Sequence, residues 1–380
     1  MATARRGSAI RTKINLLLYG APFSGKSTLA MQAALLKRPD GKNYRVLVFD
    51  AENGGTDESI DAVVSQGAHP DDIYVLYTQS VSEIKQYIKK IADNEPIYML
   101  NDDGTESDEI LTDSEGKQFV PDVVILDGTS VLKMTTQNSL INLSQKRNKI
   151  KAEKANLSVE EKYVAVAGAG MELKDYNKLA TTGQDLVLSL MSLPCSVILT
   201  SREKDETVSQ KDAEGRIASV STGRKTYDSF KGIDYNCKQI FRMYKDEATN
   251  EICAYVEKDR TGVHTFGEVL IDPSLLDYQE MLDKSSSNRA FNVRNDFDKA
   301  VATDQKIMEK EVLGPDANYT PGARAPKEII DEINAIIKAL PMPEKQALRA
   351  KLKENNLPDS FAKITDVELL NQILDFVKNA

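Results

Sequence analysis

The residues best placed by type and spacing to do chemistry are Gly20-Ala21-Pro22-Phe23-Ser24-Gly25-Lys26-Ser27, which satisfy GxxxxGK[ST]. Glycines at both ends let the backbone curl so that successive amides point at phosphate oxygens. Lys26 sets a cation on the outer phosphates, and Ser27 offers a hydroxyl to Mg2+. With Thr28, which follows, these residues form a candidate site for ATP. A second element is Val123-Val124-Ile125-Leu126-Asp127, an apolar run ending in a carboxylate suited to hold the same magnesium through water. Hydrolysis also needs a group that orients and deprotonates water in line with the γ-phosphate. Gly128 follows Asp127, so no glutamate is adjacent to it, and Glu52 in VFDAENGG is the candidate base, provided that its strand neighbours the Asp127 strand.

These groups work only if the chain supplies elements to position them. Ile14 to Tyr19 is a short continuous apolar run, and Lys26 to Leu36 has helical spacing, so the glycine loop is predicted between strand and helix. The same rhythm recurs at Arg45 to Asp50 with a helix after ENGG, and at Ile73 to Tyr77 with a helix near Val81 to Ile91. Val123 to Asp127 and Ser196 to Thr200 are further buried strands. Apolar strands alternating with helices predict an α/β fold, a mostly parallel sheet flanked by helices. Residues 97–120 carry Asp103-Gly104 and Glu115-Gly116 turns and are expected to form a β-hairpin insertion. After a polar stretch from Thr200 to about Gly232, Lys238 to Tyr244 and Ile252 to Glu257 are expected to pair antiparallel.

Three regions follow from composition. Residues 1–283 are expected to form the ATPase core. Residues 284–325 have linker composition, apart from a helix near Thr303 to Leu313, and residues 326–380 are expected to form a small all-helical module.

The chain has 380 residues, 41% of them hydrophobic and 28% charged, so it is expected to fold into more than one unit. No apolar run approaches the roughly 20 residues that cross a bilayer, and the expectation is a cytoplasmic protein that does not enter a membrane. Cys195, Cys237 and Cys253 never fall at CxxC spacing, and the only histidines are His69 and His264, both expected in loops or on the surface. Zinc centres and Ser-His-Asp or Cys-His nucleophiles are thereby disfavoured. The net charge of −9 argues against a protein that coats nucleic acid with its whole surface, although Lys146 to Lys154 is mostly basic.

GAPFSGKS, the VFDAEN strand end with its glutamate, VVILD and the late strand ending Glu257-Lys258-Asp259-Arg260-Thr261-Gly262 together resemble the RecA-like ATPases over about residues 13–271. Within that family, the compact architecture is most similar to phage-encoded single-strand annealing and recombination proteins of the Sak-four type. The resemblance implies a homo-oligomer, ring or filament, with ATP between subunits, and Lys258 and Arg260 reaching a neighbour's γ-phosphate. It also implies single-stranded DNA on loops after the Asp127 and Thr200 strands, with a single-strand-binding protein as a further partner. Lys146, Arg147, Lys149 and Lys151 in the first segment, with Lys154, would neutralise backbone phosphates. Arg224, Lys225, Tyr227 and Phe230 in the second, with Lys231, mix cations with rings on which unpaired bases stack. One departure stands: members often carry a γ-phosphate-sensing glutamine after the strand corresponding to SVILT, whereas this chain continues Ser201-Arg202-Glu203. Two rival readings share a phosphate loop: a nucleotide or small-molecule kinase, which would need an arginine-rich lid, and a nucleotide-gated scaffold or helicase loader with little turnover.

Overall fold

In the computed structural model, the described residues are 12–101, 105–211, 217–288, 297–313, 326–355 and 367–379, with isolated positions between 357 and 364. The chain divides into two compact units, residues 1–297 and 298–380.

The first unit opens with β1 (Asn15–Gly20), α1 (Lys26–Met31), β2 (Val46–Asp50), α2 (Asp57–Ser65), β3 (Ile73–Tyr77) and α3 (Val81–Asp93). The expected Lys26–Leu36 helix is α1 continued by a 3-10 turn, Gln32–Leu35. Next come β4 (Tyr98–Leu100) and β5 (Glu106–Ile110), which form their own two-stranded sheet and so realise the expected hairpin. The Asp103-Gly104 turn lies outside the described residues. At the other turn Gly116 takes a φ of 72° and donates to the Asp113 carbonyl. Then follow β6 (Val123–Asp127), α4 (Thr129–Lys154), α5 (Val159–Ala167), α6 (Leu173–Ser192), β7 (Ser196–Lys211), β8 (Ile217–Tyr227), α7 (Ile233–Asn236), β9 (Gln239–Lys245), β10 (Ile252–Asp259), β11 (Val269–Ile271) and α8 (Gln279–Asn288).

The main sheet has the order β11-β10-β9-β1-β7-β6-β2-β3, with β8 hydrogen-bonded to the outer part of β7. The pairs from β9 across to β3 are parallel, and β10 and β11 return antiparallel. This is the expected α/β architecture. Its cause is legible along each strand: Leu17, Leu47, Val124 and Val197 pack on one face with Ile84, Ile88 and Ile91 of α3 and Leu186 and Leu190 of α6. Their neighbours Leu16, Val46, Ile125 and Ile198 pack on the other face with Leu29 and Met31 of α1. A strand with both faces covered needs apolar residues at every position, and each fully buried Leu, Ile or Val adds about 1.5–3 kcal/mol. The helices read by period: α3 places isoleucines four and three residues apart, Ser80 accepts from the Glu83 amide at its start, and Asn94 closes it in the left-handed region.

Two features differ from expectation. The strand that begins at Ser196 does not end with its apolar run at Thr200: β7 is 16 residues long in all and pairs with β8 as a long antiparallel hairpin, so most of the polar stretch is strand. His264 lies in the loop between β10 and β11, as one of its two expected settings has it, but is buried there at 9% accessibility, its ring edge-on to Phe241 and Tyr278. His69 is exposed, and its Nδ1 accepts from the Asp71 amide.

The second unit holds α9 (Phe297–Leu313), α10 (Pro326–Ala339), α11 (Met342–Glu354) and α12 (Val367–Asn379). Helix α9 thus begins earlier than the helix expected within 284–325. Ile329, Ile333, Leu348, Leu352, Leu370 and Ile373 form a separate core there. No described helix is long and apolar enough to cross a membrane.

Candidate nucleotide-binding site

The parallel strands end together where β1 passes into the glycine loop. Gly20 is needed for close approach, because a Cβ there would lie 2.0 Å from the Met243 carbonyl oxygen of β9. Gly25 takes φ 80°, a conformation few other residues adopt, and its carbonyl accepts from the Leu29 amide as α1 begins. Between them Ser24 donates its hydroxyl to the Ala21 carbonyl at 2.8 Å, which tightens the loop. Phe23 projects at the loop tip, 95% exposed with φ 59°.

Lys26 Nζ folds back onto its own loop, donating to the Ala21 carbonyl at 2.6 Å and to Ser24 Oγ at 3.2 Å. Burial lowers its pKa, and the charges of Asp127, Glu52 and Glu203 act in the opposite sense. Ser27 Oγ donates to Asp127 Oδ2 at 2.6 Å, and Thr200 Oγ1 donates to Asp127 Oδ1. Asp127 is buried at the end of β6, and the desolvation raises its pKa against the pull of those two hydroxyls. Carboxylate and hydroxyl oxygens converging on one point are the donors a hard divalent cation takes, so the residues present fit magnesium.

Strand β2 does neighbour β6, with Asp50 and Asp127 as Cα partners, so the condition attached to Glu52 is met. The loop after β2 is built on Asp50. Its buried carboxylate accepts from the Glu52 amide at 2.8 Å, the Gly54 amide at 3.0 Å and the Thr56 hydroxyl at 3.2 Å. That turn brings Glu52 over Gly128, where a Cβ would stand 3.0 Å from Glu52 Oε1 and 3.3 Å from Thr200 Oγ1. Arg202, two residues past Thr200 on the same face of β7, sets both Nε and Nη2 3.1 Å from Glu52 Oε1. Sequence reading missed Asp50, Thr200 and Arg202. Asp50 and Thr200 carried a signal, each being the polar residue that closes an apolar run.

Lys258 and Arg260 are not brought to this site. Strand β10 runs against β9, so it ends beside the start of β1, at the opposite end of the strands from Gly20, and the Arg260 amide bonds the Lys238 carbonyl beside Asn15. Lys258 Nζ donates to the Asp234 carbonyl at 2.6 Å, whereas Arg260 is exposed. The Arg260 turn is held by Asp259, which accepts from Thr261, the His264 amide and the Tyr278 hydroxyl.

Of the residues expected to meet DNA, Lys146, Lys149, Lys151 and Lys154 are exposed on α4, Lys151 lying 3.6 Å from Glu172. Arg147 is half-buried and engaged with Asp175 at 2.5 Å. On the hairpin Arg224 is exposed and Lys225 pairs with Asp205 at 2.7 Å. Tyr227 is half-buried, donates to Asp234 at 2.6 Å and meets Tyr19 edge-on. Phe230 has to be corrected: it is 2% exposed and packs into the sheet core, where α6 admits it only because residue 183 is glycine. Its ring is not available to a base. Between α6 and the hairpin base lies a cleft of about 500 Å³ lined by Lys133, Tyr176, Lys204, Tyr227 and Lys231.

A family profile described as an AAA domain matches residues 12–265. No curated protein sequence matches the chain. Among solved structures, a RadB recombinase is similar at 15% identity and a TM-score of 0.35, covering 69% of this chain and 87% of its own. A KaiC-like protein from the hyperthermophilic archaeon Pyrococcus horikoshii OT3 is similar at 10% identity and a TM-score of 0.32, covering 72% of this chain and 100% of its own.

Proposed function

The chain belongs to the AAA domain family, and from that premise we propose that it is a magnesium-dependent ATPase of RecA-like type that assembles with further copies of itself and controls its hold on single-stranded DNA by ATP binding and turnover. The observation that carries the reading is the convergence of the Gly20–Ser27 loop with Asp127 and Glu52 at the end of one sheet, tied by the Ser27–Asp127 bond. Recombination or single-strand annealing of the phage kind is the finer assignment, and it rests on the sequence resemblance.

In this reading the loop amides and Lys26 grip the phosphates, Lys26 exchanging its own Ala21 carbonyl for phosphate oxygens. Ser27 and Asp127 hold magnesium, which when bound neutralises charge on the phosphate oxygens. Glu52 orients a water and takes its proton as the oxygen attacks the γ-phosphorus, and the bond from that phosphorus to its bridging oxygen breaks to leave ADP and phosphate. Arg260 is read as acting on a neighbouring copy, which its position at the opposite end of the strands from this chain's own glycine loop supports. Exposed Lys146, Lys149, Lys154 and Arg224 are read as contacts to DNA phosphates.

Phosphate release with and without a single-stranded oligonucleotide tests the reading, using wild type, Lys26→Ala and Glu52→Gln. Wild type is expected to turn over faster with DNA. Lys26→Ala is expected to lose tight ATP binding, and Glu52→Gln to bind ATP and lose turnover by at least about a hundredfold. No hydrolysis under either condition favours a nucleotide-gated scaffold, and phosphate transfer to a small acceptor favours a kinase.

A further inference from the structure

The β4–β5 hairpin and the cleft beside the base of the β7–β8 ribbon carry opposite charge at opposite ends of the strands. Residues 98–111 contain five acids, Asp102, Asp103, Glu106, Asp108 and Glu109, and no lysine or arginine. Glu106 pairs with Lys90, whereas Asp108 and Glu109 are exposed and have no ion-pair partner among the described residues. Met99, Leu100 and Ile110 stand exposed beside them. Among the described residues β4 and β5 pair only with each other, and a two-stranded ribbon is marginal by itself. Unpaired strand edges and exposed apolar side chains on such a ribbon are what a docking partner covers.

The cleft has the matching character. Its volume of about 500 Å³ is that of a ligand pocket, Tyr176, Leu179 and Tyr227 give it an apolar wall, and Lys133, Lys204 and Lys231 line it. Lys133 and Lys204 share one carboxylate, Asp228, at 2.5 and 3.4 Å. Lys231 is exposed with no ion-pair partner among the described residues, so the cleft keeps a net positive charge. Ser229 Oγ lines it too, buried and without a hydrogen-bond partner, a donor left free for a carboxylate. One chain cannot join its own two surfaces. The hairpin leads toward the start of β6, and Thr112 just beyond it accepts from Tyr74 at the start of β3. The cleft lies past the Gly20–Arg202 register pair, where the strands end, and a five-residue strand such as β6 spans about 17 Å. We propose that the acidic hairpin of one copy docks in the lysine-lined cleft of the next, Asp108 and Glu109 pairing with Lys204 and Lys231 while the hairpin's exposed apolar side chains meet Tyr176. That polarity is the one the Arg260 reading needs, because Arg260 too lies where β1 begins. The inference rests on the self-assembly proposed above and adds the surfaces that carry it.

Mass photometry and sedimentation of the full chain, with magnesium and the β,γ-imido analogue of ATP, test it. Wild type is expected to assemble, and to do so less readily as salt screens the charges. The cleft variant Lys204→Glu/Lys231→Glu and the hairpin variant Asp108→Lys/Glu109→Lys are each expected to raise the concentration for half-assembly more than about tenfold, because like charges then meet. Mixing the two variants is expected to restore assembly, since each reversed surface finds an opposite one on the other chain, and a single chain carrying all four changes is expected to recover likewise. Assembly unchanged in either variant overturns the docking, as does a loss that neither the mixture nor the fourfold variant repairs. If the cleft variant loses a single-stranded oligonucleotide while the hairpin variant assembles as wild type does, the cleft serves nucleic acid and the docking is wrong. Wild type that stays monomeric sinks the self-assembly reading and this inference together, whereas wild type that assembles without this pattern sinks only the inference.

Discussion

Asp50 and Asp127 end adjacent parallel strands as Cα partners, both buried, yet their carboxylates face different tasks. Asp50 takes the Glu52 and Gly54 amides and the Thr56 hydroxyl and so shapes a turn, whereas Asp127 takes the hydroxyls of Ser27 and Thr200. With Glu52 as the proposed base, Asp50 would act on the chemistry through it. In Asp50→Asn one oxygen is replaced by a donor facing the turn's own donors, and the turn loosens. Turnover is expected to fall about tenfold or more with KM for ATP nearly unchanged. Steady-state phosphate release measures both, and a matching rise in KM would count against a role confined to the base.

Asp127 sets a pH dependence of stability. Burial raises its folded-state pKa above the ordinary carboxylate value, so the folded chain holds this proton more tightly than the unfolded one. The stabilisation is complete below the ordinary carboxylate pKa and is lost as pH rises through the raised folded value. Asp127→Asn removes that loss. Without nucleotide or magnesium, the variant is expected to melt on the order of a few degrees above wild type at pH 7, the gap closing near pH 4. A gap independent of pH in thermal denaturation would refute this.

Gly183 and Phe230 form a lock between α6 and the chain after β8. A Cβ at 183 would stand 2.2 Å from Phe230 Cδ1 and 2.3 Å from Cγ. Although alanine favours helix, Gly183→Ala is expected to cost about 1–3 kcal/mol through overpacking. Phe230→Leu in the same chain is expected to relieve part of that cost, a non-additivity visible in denaturant midpoints.

If Arg260 serves a neighbouring copy, two dead proteins repair one another. Arg260→Ala keeps its own Glu52, and Glu52→Gln keeps its own Arg260. Mixed, they are expected to recover roughly a quarter of wild-type turnover when copies combine at random and each active site needs both groups. Activity that stays at the level of the separate variants would argue for a role within one copy.

Much of the glycine-loop end of the sheet could be read in advance because it is local. The run INLLLY, the glycine loop and VVILD each carry their own strand or turn signal within a few residues. Glu52 needed one further fact, the β2–β6 adjacency, which only the folded sheet supplies. The β7–β8 hairpin escaped because both its faces are largely exposed, so no hydrophobic alternation marks it. The burial of His264 and of Phe230 escaped for another reason. What buries them, Phe241 and Tyr278 for the one and Gly183 for the other, comes from elements that meet only in the folded chain.

The glycine loop grows out of a strand clasped on both flanks. Gly20 is the register partner of Arg202 in β7 and of Met243 in β9, and its backbone touches that of Met243 with no side chain between them. Such a junction has no soft layer to absorb displacement. A displacement at the loop would have to carry both neighbouring strands with it, one of which runs out into the β7–β8 ribbon and the other of which turns back through β10 toward Arg260.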